Sequence, residues 1–377
     1  MKKVFLFSIF LLCGLFFSQI LPSALGSAYG TLASISKWLM FICLAFIMIN
    51  VGREFELDKV KWRSYTTDYF IAMATAAVPW LLIACYYIFF LDTGLSWENN
   101  LLISRFAAPT SAGILFTMLA AAGLKKEWIY KKTQVLAIFD DLDTILLMIP
   151  LQILMIGFKW QLFVIILVVC ILLIFGWKRL SSLNLPQSWR AILLYSVCIV
   201  AAFESVYLIS KAFMGQDGAI HIEVLLPAFV LGMVMKTVHN HSQEEERASS
   251  FISYLFMFLV GLSTPIFIGL ETGGDGMPGW GMLIFHVIVV TILSNLGKMF
   301  PLFFYRDRKI QERLALSIGM FTRGEVGAGI IVIAMGYQLG GPALIISILS
   351  LVLNLVLTGF FVVAVKRISQ SVYGVKE

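Results

Sequence analysis

The sequence predicts an all-α, polytopic membrane protein of about twelve transmembrane helices, organised as a single membrane domain over residues 1–377. Two observations carry this. Hydrophobic residues make up 60% of the chain and charged ones 13%, and the mean hydropathy is +0.91, a balance that excludes a soluble domain of this length. The apolar residues also gather into about twelve runs of roughly 17–26 residues, each long enough to cross about 30 Å of hydrocarbon as a helix.

In chain order the runs lie at 4–20, 36–52, 69–91, 99–122, 132–157, 159–178, 189–212, 219–237, 249–270, 280–304, 313–338 and 341–366. The first follows Lys2 and Lys3, but no small-x-small cleavage site directly follows it, so it reads as a span and not as a leader. With the N-terminus in the cytoplasm, the inside connectors collect Arg53, Lys59, Lys61, Arg63, Lys125, Lys126, Lys131 and Lys132. Further along they collect Lys178, Arg179, Arg190, Lys236, Arg247, Arg306, Arg308, Lys309, Arg313 and the basic C-terminus. The outside receives Lys37, Lys159 and Lys211. This asymmetry is the positive-inside pattern, puts both termini in the cytoplasm and accounts for the net charge of +6 without nucleic acid.

Arg105, Lys298 and Arg323 fall within spans, so each needs a partner. Cys13, Cys43, Cys85, Cys170 and Cys198 stand singly in apolar runs and suggest neither a disulfide framework nor a metal site. His221, His239, His241 and His286 are equally scattered. The polar stretch His239–Ser250 reads as a solvated connector, and no soluble regulatory domain is expected.

Two spans contain helix breakers at mid-depth: AAPTSAG (Ala107–Gly113) in the fourth and TRGEVGAG (Thr322–Gly329) in the eleventh. Spans three to five and ten to twelve run in opposite senses, so the breaks occupy matching places in two inverted repeats. Such interruptions expose free backbone groups and helix dipoles at the midplane, where transporters build substrate sites.

The fifth span, QVLAIFDDLDTILLMIP (Gln134–Pro150), carries Asp140, Asp141 and Asp143 in an otherwise apolar run. A charge near the centre of a membrane helix costs roughly 2.5–3.5 kcal/mol and usually marks an ion or proton path. Counting along the spans brings Arg323 and Glu325 to a similar depth, with Lys298 nearer the inside and Glu204 at mid-depth of the seventh span. Neighbouring carboxyls in a low-dielectric cavity hold protons near neutral pH, and carboxylate oxygens are also good ligands for hard monovalent cations. The same groups can therefore hold a cation or protons, but not both, and alternating access then enforces exchange.

Three motifs in order resemble the monovalent cation:proton antiporters of the sodium/proton exchanger superfamily, of the paired-aspartate type. APTSAGILFTMLAAAGL (Ala108–Leu124) is similar to that family's unwound fourth helix. FDDLDT (Phe139–Thr144) resembles its paired-aspartate helix, and SIGMFTRGEVGAGIIVIAMGYQLG (Ser317–Gly340) its second unwound helix. NVGREFELDKVKW (Asn50–Trp62) adds to the likeness, which covers most of residues 40–145 and 285–365.

The resemblance implies two crossed discontinuous helices and a moving core of spans about 69–157 and 280–366 against a scaffold. It implies a homodimer in a bacterial inner membrane that exchanges a monovalent cation, Na+ first, for protons with no resident cofactor. It implies Asp141 as the principal cation and proton carrier and Asp140 as its neighbour, with Thr110 and Ser111 supplying oxygens. Lys298 matches the lysine that such families link with electrogenic exchange. Asp143, Arg105 and Glu204 depart from the family pattern. Arg323 and Glu325 are expected to hold the interrupted helices by ion pairing. The rival readings are a sodium-coupled organic anion symporter of related fold and an intramembrane, metal-dependent prenyltransferase.

Overall fold

Backbone amides cannot stay unpaired in hydrocarbon, so apolar runs of this length become helices. The computed structural model describes residues 2–53, 62–91, 94–111, 119, 124, 127–147, 150–151, 160–214, 224–236, 243–264, 278–337 and 339–373. Among them thirteen α-helices follow one another. They are α1 (Lys2–Leu25), α2 (Tyr29–Arg53), α3 (Trp62–Phe89), α4 (Trp97–Ser104), α5 (Trp128–Leu146), α6 (Trp160–Lys178) and α7 (Trp189–Met214) in the first part of the chain. Then come α8 (Leu225–Val234), α9 (Gln243–Leu262), α10 (Trp280–Gly297), α11 (Ile310–Gly319), α12 (Glu325–Gly336) and α13 (Gly341–Tyr373). Short 3-10 turns stand at 26–28, 105–107 and 300–303.

Thirteen helices meet the expectation of about twelve spans because the eleventh span is two of them, α11 and α12, separated at 320–324. The fourth begins as α4 and the turn 105–107, then leaves helical geometry at 109–111. Among the described residues six helical stretches are long and apolar enough to cross a membrane: Leu6–Leu25, Tyr29–Arg53, Tyr65–Phe89, Trp189–Ile209, Trp280–Phe303 and Gly341–Val372. Tryptophan opens α3, α4, α5, α6, α7 and α10, the residue favoured where a helix meets the lipid headgroups. α4 is also capped: the Ser96 hydroxyl accepts from the Asn99 N–H, and Glu98 lies in the positive first turn.

The boundaries differ from the hydropathy reading where small residues continue a helix beyond its most apolar core. α1 and α2 fill most of the expected connector at 21–35 and are parted only by the turn 26–28, where Gly26 adopts φ +49°. Lys37, assigned to the outside at the start of the second span, lies within α2 with its ammonium 5.9 Å from the Phe41 ring centre. α13 runs past the expected end at 366 to Tyr373.

Helices in lipid gain little from hydrophobic contact with one another, so small residues that bring backbones together decide which of them pack. Gly14 and Gly261 form one reciprocal crossing. A Cβ on Gly14 would stand 2.0 Å from the Phe258 carbonyl oxygen, and one on Gly261 2.2 Å from that of Leu11. Gly52 and Gly232 repeat the arrangement between α2 and α8: a Cβ on Gly52 would stand 2.1 Å from the Phe229 carbonyl oxygen, and one on Gly232 2.0 Å from that of Ile49. Against these pairs stands a second group of contacts. α3 packs on α5 and α10, α10 and α11 pack on α13, and α11 touches α5. α12 lies against the turn 105–107, α2 and α9.

The reciprocal glycines predict a sharp local sensitivity. Gly52→Ala or Gly232→Ala should each lower stability by about 1–3 kcal/mol through overpacking. Gly30→Ala, which meets nothing within 4 Å, should leave the melting midpoint of the purified protein unchanged.

Candidate ion-binding site

Both helix breaks have a backbone cause. Ala108 closes the turn 105–107 with helical dihedrals and Pro109, which lacks an N–H, cannot continue the ladder, while the second break spans Met320 to Gly324, the latter fully extended at φ −171°. The two breaks cross and share their free groups. Ser111 N–H donates to the Thr322 carbonyl at 2.9 Å, and the Thr110 hydroxyl donates to the Met320 carbonyl at 3.2 Å. The Thr322 hydroxyl bridges the Gly319 carbonyl at 3.2 Å and that of Ser111 at 3.4 Å. The carbonyl end of α11 and the amide end of α12 therefore meet at one depth, offering both signs of helix dipole.

α5 brings the carboxyls to this crossing. Asp140 and Asp141 are fully buried and Asp143 is 1% exposed. The Thr144 hydroxyl, bonded back to the Asp140 carbonyl at 2.8 Å, keeps that turn regular. Asp140 is paired with Lys298: the ammonium, 0% exposed, donates to Oδ1 at 2.9 Å and to Oδ2 at 2.7 Å, and also to the Ala108 carbonyl. Lys298 can reach because α10 ends on a glycine. A Cβ on Gly297 would lie 2.5 Å from the Pro79 Cα, so only glycine lets this helix end rest on α3. Asp141 follows Asp140 and is rotated by about 100° around the helix, so the pair presents two carboxyls to different neighbours.

The other two buried bases take a different solution from the one expected. Arg323 donates from Nη1 to the Pro109 carbonyl at 2.9 Å, and from Nη2 to the Ser294 hydroxyl at 2.6 Å and carbonyl at 3.3 Å. Its described partners are thus neutral oxygens of the first break and of α10. It does hold the interrupted helices together, through carbonyls freed by the break; the expected ionic partner, the Glu325 side chain, lies outside the described residues. Arg105, fully buried, donates to the Asp143 and Thr144 carbonyls in the last turn of α5. Its guanidinium lies 4.5 Å from the centre of the Trp80 ring.

Asp143, on the Asp140 side of α5, faces the Tyr69 hydroxyl of α3. Glu204 is not brought to the cluster: it lies half-buried on α7, whose packing partners are α2, α8 and α9. Mid-depth in the sequence was a coordinate along one helix only, and α7 turns away from the crossing. His286 meets Tyr86 at 2.6 Å between α10 and α3; His221, His239 and His241 lie outside the described residues.

The sequence reading passed over Ser294, Trp80 and Tyr69. It also passed over Asp68, a carboxylate on α3 just before the expected third span, which is 3% exposed. Lys132 donates to its two oxygens at 2.9 and 2.8 Å and the Tyr305 hydroxyl donates to Oδ1 at 2.8 Å. Its signal was present, an acid seven residues into α3 opposite a lysine counted only for topology.

What the arrangement can do follows from its contents. Three buried bases and three buried carboxyls meet two helix breaks, with one carboxyl held by a lysine and another beside it. Oxygen ligands for a hard monovalent cation and exchangeable protons are then available at one place. Arg323→Met should remove the donors of Pro109 and Ser294 and cost about 2–3 kcal/mol. The expected readout is a lower melting midpoint with or without added cation; an unchanged midpoint would show that the break holds itself.

Comparisons agree with this architecture. The sequence matches the family described as sodium/hydrogen exchanger, transmembrane, over residues 2–367. The sodium proton antiporter MjNhaP1 from Methanocaldococcus jannaschii at pH 8 shares the fold with a TM-score of 0.58 at 12% identity, over 93% of this chain and 91% of that one. An electron-microscopy structure of the same antiporter gives a TM-score of 0.52 at 13% identity, over 89% and 84%. No curated protein sequence matches significantly. The structural likeness speaks for the fold alone, whereas the family match spans nearly the whole chain and sets aside both the organic anion symporter and the prenyltransferase. With its buried carboxyls at two crossed helix breaks, this multi-pass membrane protein belongs to the sodium/hydrogen exchanger family.

Proposed function

We propose that the protein exchanges sodium for protons across a bacterial inner membrane by alternating access, moving net charge on each cycle and using no resident cofactor. The reading rests above all on the buried Lys298–Asp140 pair, 2.7 Å apart at its closest, one residue from Asp141. In this account Asp141 is the principal ligand, holding either the cation or a proton. Thr110 and Ser111 lend oxygens from the first break.

Lys298 keeps Asp140 occupied while Asp141 is protonated. When the cation arrives, Asp140 turns to it, the lysine loses its counter-charge, and a buried ammonium without one gives up its proton. Two protons leave for one positive charge that enters. The helices α3–α5 and α10–α13 move as a core against the remaining helices, in a homodimer with cytoplasmic termini. The core crosses readily with the cluster occupied by the cation or by protons and not with it empty, which couples the two flows.

Two measurements test this. Asp141→Asn should abolish sodium-driven proton movement in proteoliposomes while the protein still inserts and melts cooperatively; exchange at wild-type cation affinity would sink the assignment. At a fixed ion gradient, wild-type exchange should respond to an imposed membrane potential, and Lys298→Gln should leave a slower exchanger that does not. A rate indifferent to voltage in the wild type rules out the stoichiometry.

A further inference from the structure

The first helix break is tied to α5 at two points, and the two ties differ in kind. One is Lys298, which spans the Ala108 carbonyl and the Asp140 carboxylate. In the exchange reading above, on which this inference rests, that tie opens when the cation binds. The other is Arg105, three residues before Ala108. It reaches the carbonyls of Asp143 and Thr144 with Nη2 at 2.9 and 2.8 Å and with Nε to Thr144 at 3.1 Å. These acceptors are main-chain carbonyls, which do not take up protons in exchange.

Its chemistry suits a fixed clamp. Both carbonyls lie in the last turn of α5, where the helix dipole is negative; that of Asp143 also accepts from the Leu147 N–H at 2.9 Å, and the buried guanidinium adds hydrogen bonds and a positive charge there. The fork geometry matters, because adjacent carbonyls accept from a planar group whose face is stacked on Trp80 at 4.5 Å. The indole is itself oriented, since its Nε1–H donates to the Leu101 carbonyl of α4 at 2.7 Å. A lysine ammonium has neither the fork nor the stacking face.

We propose that Arg105, braced by Trp80, is a positioning residue of the exchange: it holds α5 in register with the first break through the part of the cycle in which Lys298 releases Asp140. Asp141 and the oxygens of the break then stay at ligating distance although the ionic tie is gone. A purely electrostatic role would be served equally by lysine, and a purely architectural one would affect folding alone.

The experiment reads cation affinity twice, as the sodium concentration giving half-maximal thermal stabilisation of the purified protein and as the KM of exchange in proteoliposomes. Arg105→Lys and Arg105→Gln should both raise these by roughly tenfold with a smaller effect on the maximal rate, and Trp80→Leu, which leaves Arg105 in place, should raise them by less. Combining Arg105→Lys with Lys298→Gln should abolish stabilisation by sodium, since both ties are then lost. Wild-type half-saturation in Arg105→Lys, or a lower melting midpoint with unchanged half-saturation, overturns the clamp. A wild-type protein that sodium does not stabilise, or an Asp141→Asn variant stabilised as well as wild type, overturns the ion-binding reading and the clamp with it. Loss of the sodium response confined to the arginine and tryptophan variants implicates the clamp alone.

Discussion

The carbonyls of Ala108 and Pro109, at a break where Pro109 has no N–H to continue the helix ladder, are the constraint on which the rest of the site depends. Water cannot satisfy them if they are buried at bilayer depth. Lys298 and Arg323 supply the donors instead, and an isolated buried base would itself be costly. The break and the bases therefore make each other tolerable. A carbonyl carries no net charge, so Lys298 can serve Ala108 and still neutralise Asp140. Arg323 likewise keeps a whole positive charge beside the crossing while its hydrogen bonds are used.

This division separates geometry from charge. The contacts of Arg105 and Arg323 to carbonyls and to the Ser294 hydroxyl join α5, α10 and the two breaks without an ionised partner. The Lys298–Asp140 contact pairs two opposite charges. Elsewhere the chain uses a different adhesive. The crossings at Gly14–Gly261 and Gly52–Gly232 bring backbones together with no polar side chain, as suits helices that carry no ion.

The opposite end of α5 follows the same rule as its middle. Asp68, buried on α3, is held by Lys132 and Tyr305. Trp128 lies edge-on to the Tyr305 ring at 5.6 Å, and Arg308 lies over Trp128 at 5.2 Å. Tyr305 is left-handed at φ +52°, a conformation uncommon for a side chain other than glycine or asparagine. The bond to Asp68, the Trp128 ring and the Lys132 ammonium, 5.0 Å from the Tyr305 ring centre, hold it there. They fasten the connection between α10 and α11 to α3 and α5, so the segment bearing Lys298 and the helix bearing Asp140 are joined at a second place.

The amino-acid sequence by itself determined the class, the spans and the two breaks, because these depend on local properties. Hydrocarbon thickness sets run length, basic residues mark connectors, and Pro109 and the glycines near 324 interrupt a helix wherever it stands. It also marked Asp140, Asp141, Lys298, Arg105 and Arg323 as residues in need of partners, since no isolated charge is stable at that depth. Which partners they found was a tertiary matter. Lys298 took Asp140, but Arg105 took main-chain oxygens, and Arg323 took two of them with the Ser294 hydroxyl; main-chain oxygens carry no signature in a sequence because every residue has one. Glu204 matched the cluster in depth yet lies on α7, turned to other helices. Depth is legible from counting residues, whereas the side on which a helix packs is decided by close approaches such as Gly297 on Pro79, and these exist only once the bundle has formed.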